Sequence, residues 1–180
     1  SELAQYLVMG ASVRQHLPFD HKASATDIAA TSADYPFVES VLAKGGALRD
    51  LAQTQAGVMG TANGAFLPNG NVTRVSLAYS LVQGLAMQPQ ATAFSGPLTA
   101  FYDGKRIPID DAAQIAPSLR GYVQLALDQG LLNARFTLTQ GPYDLQPKLH
   151  AYFDPTKPVT RAAFAVAAGR YLADYQSAED

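Results

Sequence analysis

The sequence predicts a mainly α protein built from repeated helix-loop-helix units, and three observations carry that expectation. The first is an ungapped internal match: residues 66–74 read FLPNGNVTR and residues 153–161 read FDPTKPVTR, with five identities at an offset of 87. The second is that each match runs on into helical periodicity. Val75, Leu77, Ala78, Leu81, Val82 and Leu85 are apolar in one copy, and Phe164, Ala165, Val166, Ala168, Tyr171 and Leu172 in the other. The third is a glycine-terminated helical stretch upstream of each match, AKGGAL (43–48) against LDQGLL (127–132), with Gly46 over Gly130 at an offset of 84. One amphipathic helix pair cannot close a core alone, so such units are expected to stack on one another.

The elements follow in order. The chain opens directly in helical periodicity (Leu3, Tyr6, Leu7, Gly10, Val13), and SELAQYLVMGASVRQ is similar to the second helix of a unit, Leu3-Ala4 lying over Leu77-Ala78 and Phe164-Ala165. Residues 1–16 therefore read as the second helix of a truncated first repeat, and the chain as a piece of a longer protein. Residues 17–90 read as a complete repeat. Asp34 before Tyr35-Pro36 starts its first helix, because the carboxylate accepts an early N–H and proline's fixed φ suits the first turn. Gly45-Gly46 stops that helix, and TQAGVMGTANGA (54–65) reads as a flexible surface loop. Pro68 keeps the approach extended, and Thr73 stands at the N-cap of the next helix.

Residues 91–106 read as a linker with a hairpin, since Asp103-Gly104 lies between Phe101-Tyr102 and Ile107. Residues 107–176 form the next complete repeat, with a helix from Ser118 to Gly130 and a second from the Thr160 cap to about Leu172. The stretch RFTLTQGPYDLQPKLHAYF (135–153) alternates apolar and polar residues around Gly141-Pro142, which reads as a β insertion.

Composition narrows the function. Thirteen Lys and Arg against fifteen Asp and Glu leave a net charge of −2, with no basic footprint for nucleic acid or an anionic membrane surface. The absence of cysteine removes disulfides, thiol catalysis and cysteine-ligated metals. No apolar run is long enough for membrane insertion. His16, His21 and His150 stand apart without a two-ligand helical spacing, so no metal is expected. Ser95 in AFSGP lacks the nucleophile-elbow pattern and no phosphate loop is present, so no catalytic residue and no cofactor are expected.

The candidate site rests on Arg74 and Arg161, each one residue after a threonine cap. A cation in the first turn opposes the helix macrodipole by about 0.3–1 kcal/mol, so its repetition asks for another cause. Two readings stand. An anion at the helix mouth would meet free N–H groups and a guanidinium fork. Alternatively, each arginine pairs with an aspartate of the neighbouring repeat, Asp20 or Asp110, and locks the assembly. Tyr35, Tyr102, Tyr143 and Tyr152 offer rings that can stack on sugar faces or pack half-buried against apolar neighbours.

Taken together, Pro18-Phe19-Asp20 or Pro108-Ile109-Asp110, a first helix (Tyr35 to Gly46, Leu119 to Gly130), then F-x-P-x-x-x-V-T-R and a second helix (Phe66 to Ala86, Phe153 to Leu172) resemble the S-layer homology (SLH) domain of bacterial surface proteins. The resemblance implies repeats packed as a pseudo-three-fold bundle with short β-hairpin insertions. It implies a non-catalytic, extracellular module that anchors a larger exported protein to the cell surface, with anionic bacterial cell-wall polysaccharide or peptidoglycan-associated polymer as partner. The ligand-binding residues it implies are Arg74, Arg161, Thr73, Thr160, Tyr35, Asp20 and Asp110, and a homo-oligomer is one way to complete the truncated first repeat. The alternative is a structural or protein-association domain supporting a linked extracellular enzyme such as a protease. The chain departs from the family pattern in three places. The family's T-R-A-E reads Thr73-Arg74-Val75-Ser76 and Thr160-Arg161-Ala162-Ala163, the glutamate surviving only as Glu2. A tryptophan frequent in the first helix is absent, with Tyr35 its nearest substitute, and the insertion at 135–153 exceeds the usual loop.

Overall fold

Alternating β-branched and aromatic residues on either side of turn dipeptides pair as strands, and this overturns the mainly α expectation. The computed structural model describes residues 1–10 and 12–177 and is mixed α/β, 37% helix and 14% strand, with six α-helices and two small antiparallel sheets rather than a three-fold helical bundle. The helices are α1 (Glu2–Met9), α2 (Tyr35–Leu42), α3 (Arg74–Gly84), α4 (Gln88–Ala93), α5 (Pro117–Asp128) and α6 (Arg161–Ser177). The strands are β1 (Thr99–Tyr102), β2 (Lys105–Pro108), β3 (Arg135–Thr139) and β4 (Lys148–Tyr152). Three of the helices span only 8, 8 and 6 residues, too little apolar face for a bundle built from helices alone.

The chain divides into two compact units, one made of Ser1–Val72 with Tyr79–Gln88, the other of Thr73–Ala78 with Pro89 onward. In the first unit α1 packs on α2, burying Leu3, Leu7, Val38 and Val41. Glu39, buried on α2, accepts the Ser24 N–H at 2.8 Å and the Ser24 hydroxyl at 2.6 Å, so its carboxylate is satisfied. The segment 54–65 is tied down, in contrast to the flexible loop its composition suggests. Val58 is buried, Met59 donates to the Val41 carbonyl, and the Tyr79 hydroxyl donates to the Gly57 carbonyl at 2.9 Å.

In the second unit β1 pairs with β2 across Asp103-Gly104, both at positive φ as a tight hairpin turn requires. β3 pairs with β4 in the register Arg135↔Tyr152, Phe136↔Ala151 and Thr137↔His150. A parallel bridge from Ile109 to Ala151 ties the end of the first hairpin to the second. Arg135, Tyr152, His150 and Thr139 thus share one face of β3–β4, while Phe136 lies on the other, 4.8 Å from Tyr102.

The two units repeat one device. The Asp27 carboxylate accepts the N–H groups of Phe66 and Leu67 at 2.7 and 2.8 Å; the Asp111 carboxylate accepts those of Phe153 and Asp154 at 2.8 and 2.7 Å. Each acid fixes the loop that opens its F-x-P match. The acids at corresponding places are therefore Asp27 and Asp111, not the Asp20 and Asp110 of the P-F-D and P-I-D tripeptides. The glycine stops also shift by one residue. Gly45 (φ +70°) and Gly130 (φ +68°) take the left-handed conformation, so Gly45 is the counterpart of Gly130.

Candidate functional site

Both threonines cap their helices. Thr73 Oγ1 accepts the Ser76 N–H at 3.3 Å, while Ser76 Oγ accepts the Thr73 N–H at 3.1 Å, a reciprocal capping box with serine where the SLH pattern has glutamate. Thr160 Oγ1 accepts the Ala163 N–H at 3.1 Å, and Ala163 cannot reciprocate.

The mouth of α3 is closed to a foreign anion. Its first two amides, Arg74 and Val75, donate to the carbonyls of Lys157 and Pro155, each at 3.0 Å. The Arg74 side chain turns onto the same loop. Nε donates to the Phe153 carbonyl at 2.7 Å, Nη2 to the Asn133 carbonyl at 2.6 Å, and the guanidinium lies 4.9 Å over the Phe153 ring. Burial lowers the Arg74 pKa, and the nearby charges of Asp154 and Asp111 oppose that shift. Its hydrogen-bond acceptors are neutral carbonyls, so among the described residues the guanidinium is in no ion pair. This differs from the aspartate pairing that the repeat suggests. Asp110 instead binds His150, with Oδ2 2.5 Å from Nδ1, and Asp20 lies 3.6 Å from the exposed Lys22 ammonium.

Around Arg74 lies a cleft of about 370 Å³ within the second unit. Arg74, Arg135, Lys157 and Arg170 line it against the single carboxylate of Asp154, with Asn133 and Thr160 as neutral polar groups and Val166 and Ala167 of α6 as an apolar wall. Arg135 and Asp154 form a fork, Nε to Oδ2 and Nη2 to Oδ1, both at 2.9 Å, with the guanidinium 4.6 Å over Tyr152. The pair raises the Arg135 pKa and holds the Asp154 carboxyl below its ordinary value. Lys157 and Arg170 form no ion pair among the described residues. A cleft with this excess of cations is complementary to an anion and offers no nucleophile–base pair.

No family model, curated protein or solved structure matches this chain. The site is therefore argued on geometry. Of the seven residues expected from sequence, Arg74 and Thr160 line the cleft. Thr73 caps α3, Asp20 sits elsewhere on an exposed turn, and Arg161 is exposed at the start of α6 without lining the cleft. Asp110 lines a neighbouring hollow. Tyr35 is buried at 5% exposure with its hydroxyl directed to the Lys22 carbonyl at 3.3 Å, which removes it as a sugar-stacking ring. Sequence reasoning missed Arg135, Lys157 and Arg170. Lys157 stood three residues before Thr160 inside the repeated segment, which was the available signal; the other two carry none. Among the described residues no cluster of three His, Cys, Asp or Glu side chains is placed to hold a metal, and no helix is long and apolar enough to cross a membrane.

Proposed function

We propose that this chain is a non-catalytic anchoring module that binds anionic bacterial cell-wall polysaccharide, or a peptidoglycan-associated polymer, and so holds a larger exported protein at the cell surface. The observation that supports this reading is the Arg74 cleft, where four cations face one carboxylate and, among the described residues, only Arg135 is in an ion pair. A carboxylate or phosphate of the polymer would meet Lys157 and Arg170 directly, with Arg74 fixed behind them by its carbonyl partners. The internal repeat and its likeness to SLH sequences add to the reading, and the mixed α/β fold means that it does not depend on a three-fold bundle.

The test is co-sedimentation of the purified chain with Gram-positive sacculi, native or stripped of anionic polymer by hydrofluoric acid. Retention on native sacculi and loss on stripped sacculi is the expected result; equal behaviour on both contradicts it. A second reading, a structural domain supporting a linked enzyme, draws on one observation: Arg74 joins three parts of the second unit through the Phe153 and Asn133 carbonyls. Under that reading neither preparation retains the chain.

A further inference from the structure

Beside the cationic cleft lies a second hollow of about 470 Å³, lined by Asp110, Asp111, Gln114, Arg135, Tyr152, Asp154, Thr156 and Lys157. Arg135, Asp154 and Lys157 line both spaces, so the two share one wall. Their chemistry differs. In the hollow the carboxylates are already engaged within the fold: Asp111 by two amides, Asp154 by Arg135, and Asp110 Oδ2 by His150. What remains is a ring of unengaged neutral donors and acceptors. Among the described residues the Tyr152 hydroxyl, the Gln114 amide and the Thr156 hydroxyl make no hydrogen bond, and Asp110 Oδ1 is likewise open. Three carboxylates against Arg135 and Lys157 leave no excess of positive charge for an anion, whereas mixed donors and acceptors suit a ligand that bears many hydroxyls.

The wall that carries them is rigid. Arg135 stacks on Tyr152, Tyr152 lies nearly parallel to His150 at 6.3 Å, and His150 bridges Asp110 and Thr139, whose Oγ1 is 2.8 Å from Nε2. One face of the Tyr152 ring is therefore taken by Arg135, and Tyr152 lines the hollow with a hydroxyl that makes no hydrogen bond among the described residues.

We propose that this hollow is a subsite for an uncharged sugar ring next to the anion-binding cleft, so that the preferred ligand is a glycan segment with an acidic residue in the cleft and a neutral neighbour in the hollow. This inference rests on the anion-binding reading of the cleft. The β3–β4 hairpin supplies Arg135 and Tyr152 to the second subsite, a role for an insertion that the repeat alone does not explain.

The experiment uses the whole chain and two defined probes, glucuronate and the disaccharide glucuronate–N-acetylglucosamine, followed by amide chemical-shift perturbation and titration. Glucuronate should shift the amides of Asn133, Val159 and Ala163. The disaccharide should shift those of Gln114, Tyr152 and Thr156 as well and bind about tenfold more tightly, the gain expected of two added neutral hydrogen bonds. The double variant Gln114→Ala/Thr156→Ala should remove that tenfold gain and leave glucuronate affinity unchanged. Equal affinity for the two probes, or shifts confined to the cleft, overturns the subsite while leaving the cleft reading intact. Failure of glucuronate to bind at the cleft overturns both.

Discussion

Replacing Asp111 with alanine removes the acceptor for two amides of the Phe153–Asp154 loop, held at 2.8 and 2.7 Å by a side chain only 8% exposed. Hydrogen bonds to a charged group contribute about 1.5–3 kcal/mol each, so losing both at the lower figure costs about 3 kcal/mol. For a chain of this length that corresponds to a fall in Tm of about 6–12 °C. The loop also presents the Phe153 carbonyl to Arg74 Nε, so the variant should loosen the cleft and weaken sacculus retention. Asp27→Ala removes the corresponding pair of bonds from an exposed side chain, and its Tm should fall by less than that of Asp111→Ala. The assay is thermal unfolding followed by circular dichroism, repeated with urea to confirm an unchanged m-value. An Asp111→Ala variant that melts within 2 °C of the parent, a bound well under the ~6 °C lower estimate, would show that the clamp carries no stability and refute the reasoning.

Acid should destabilise the fold through Asp27 and Asp154. The amides of Phe66 and then Leu67 hold the first below the ordinary carboxylate value, and Arg135 holds the second there. A depressed folded pKa contributes stability that is complete above the unfolded value near ~4 and is lost as pH falls through the folded one. Tm should therefore stay level from about pH 7 to 5 and drop below about pH 4, and a scan that rises on acidification contradicts the assignment. Gly121→Ala should fail to pack, because a Cβ there would lie 1.8 Å from the Ala91 carbonyl oxygen and α5 would have to separate from α4. The expected cost is about 1–3 kcal/mol or more, visible as a lowered urea midpoint; an unchanged midpoint would show that the helices yield freely.

The parts legible in the sequence are those written in local chemistry. Thr73 and Thr160 cap their helices, Gly130 follows the end of α5 in the left-handed conformation, and Asp103-Gly104 turns a hairpin, since each depends on neighbours within a few residues; α2 instead ends at Leu42, before Gly45, with Ala43 already extended. Both hairpins are legible as alternation about turn dipeptides, but the repeat makes them look like insertions in a helical bundle; with α1, α2 and α4 so short, the two sheets carry a share of the second unit that makes the fold mixed α/β. Asp27 and Asp111 were invisible as clamps, because an acid that binds amides about forty residues downstream leaves no periodic trace. A cation at the start of α3 asks for a partner, and Arg74 finds it in the carbonyls of Phe153 and Asn133, which no spacing rule announces. The cleft itself gathers Arg135, Lys157 and Arg170 from three separate segments, so only the fold brings them together.

Arg74 is a poor probe of function, since its removal also breaks two internal hydrogen bonds. Lys157 and Arg170 make no internal ion pair among the described residues, so Lys157→Gln/Arg170→Gln should leave Tm within about 2 °C of the parent. Each lost contact with a bound anion is worth about 1 kcal/mol or more at close range, which lowers affinity at least about thirtyfold for the pair. The decisive measurement is co-sedimentation of this double variant with native sacculi alongside its melting curve. Lost retention with an unchanged melt is the predicted result, and retention equal to that of the parent would contradict the cleft as the place where the wall polymer binds.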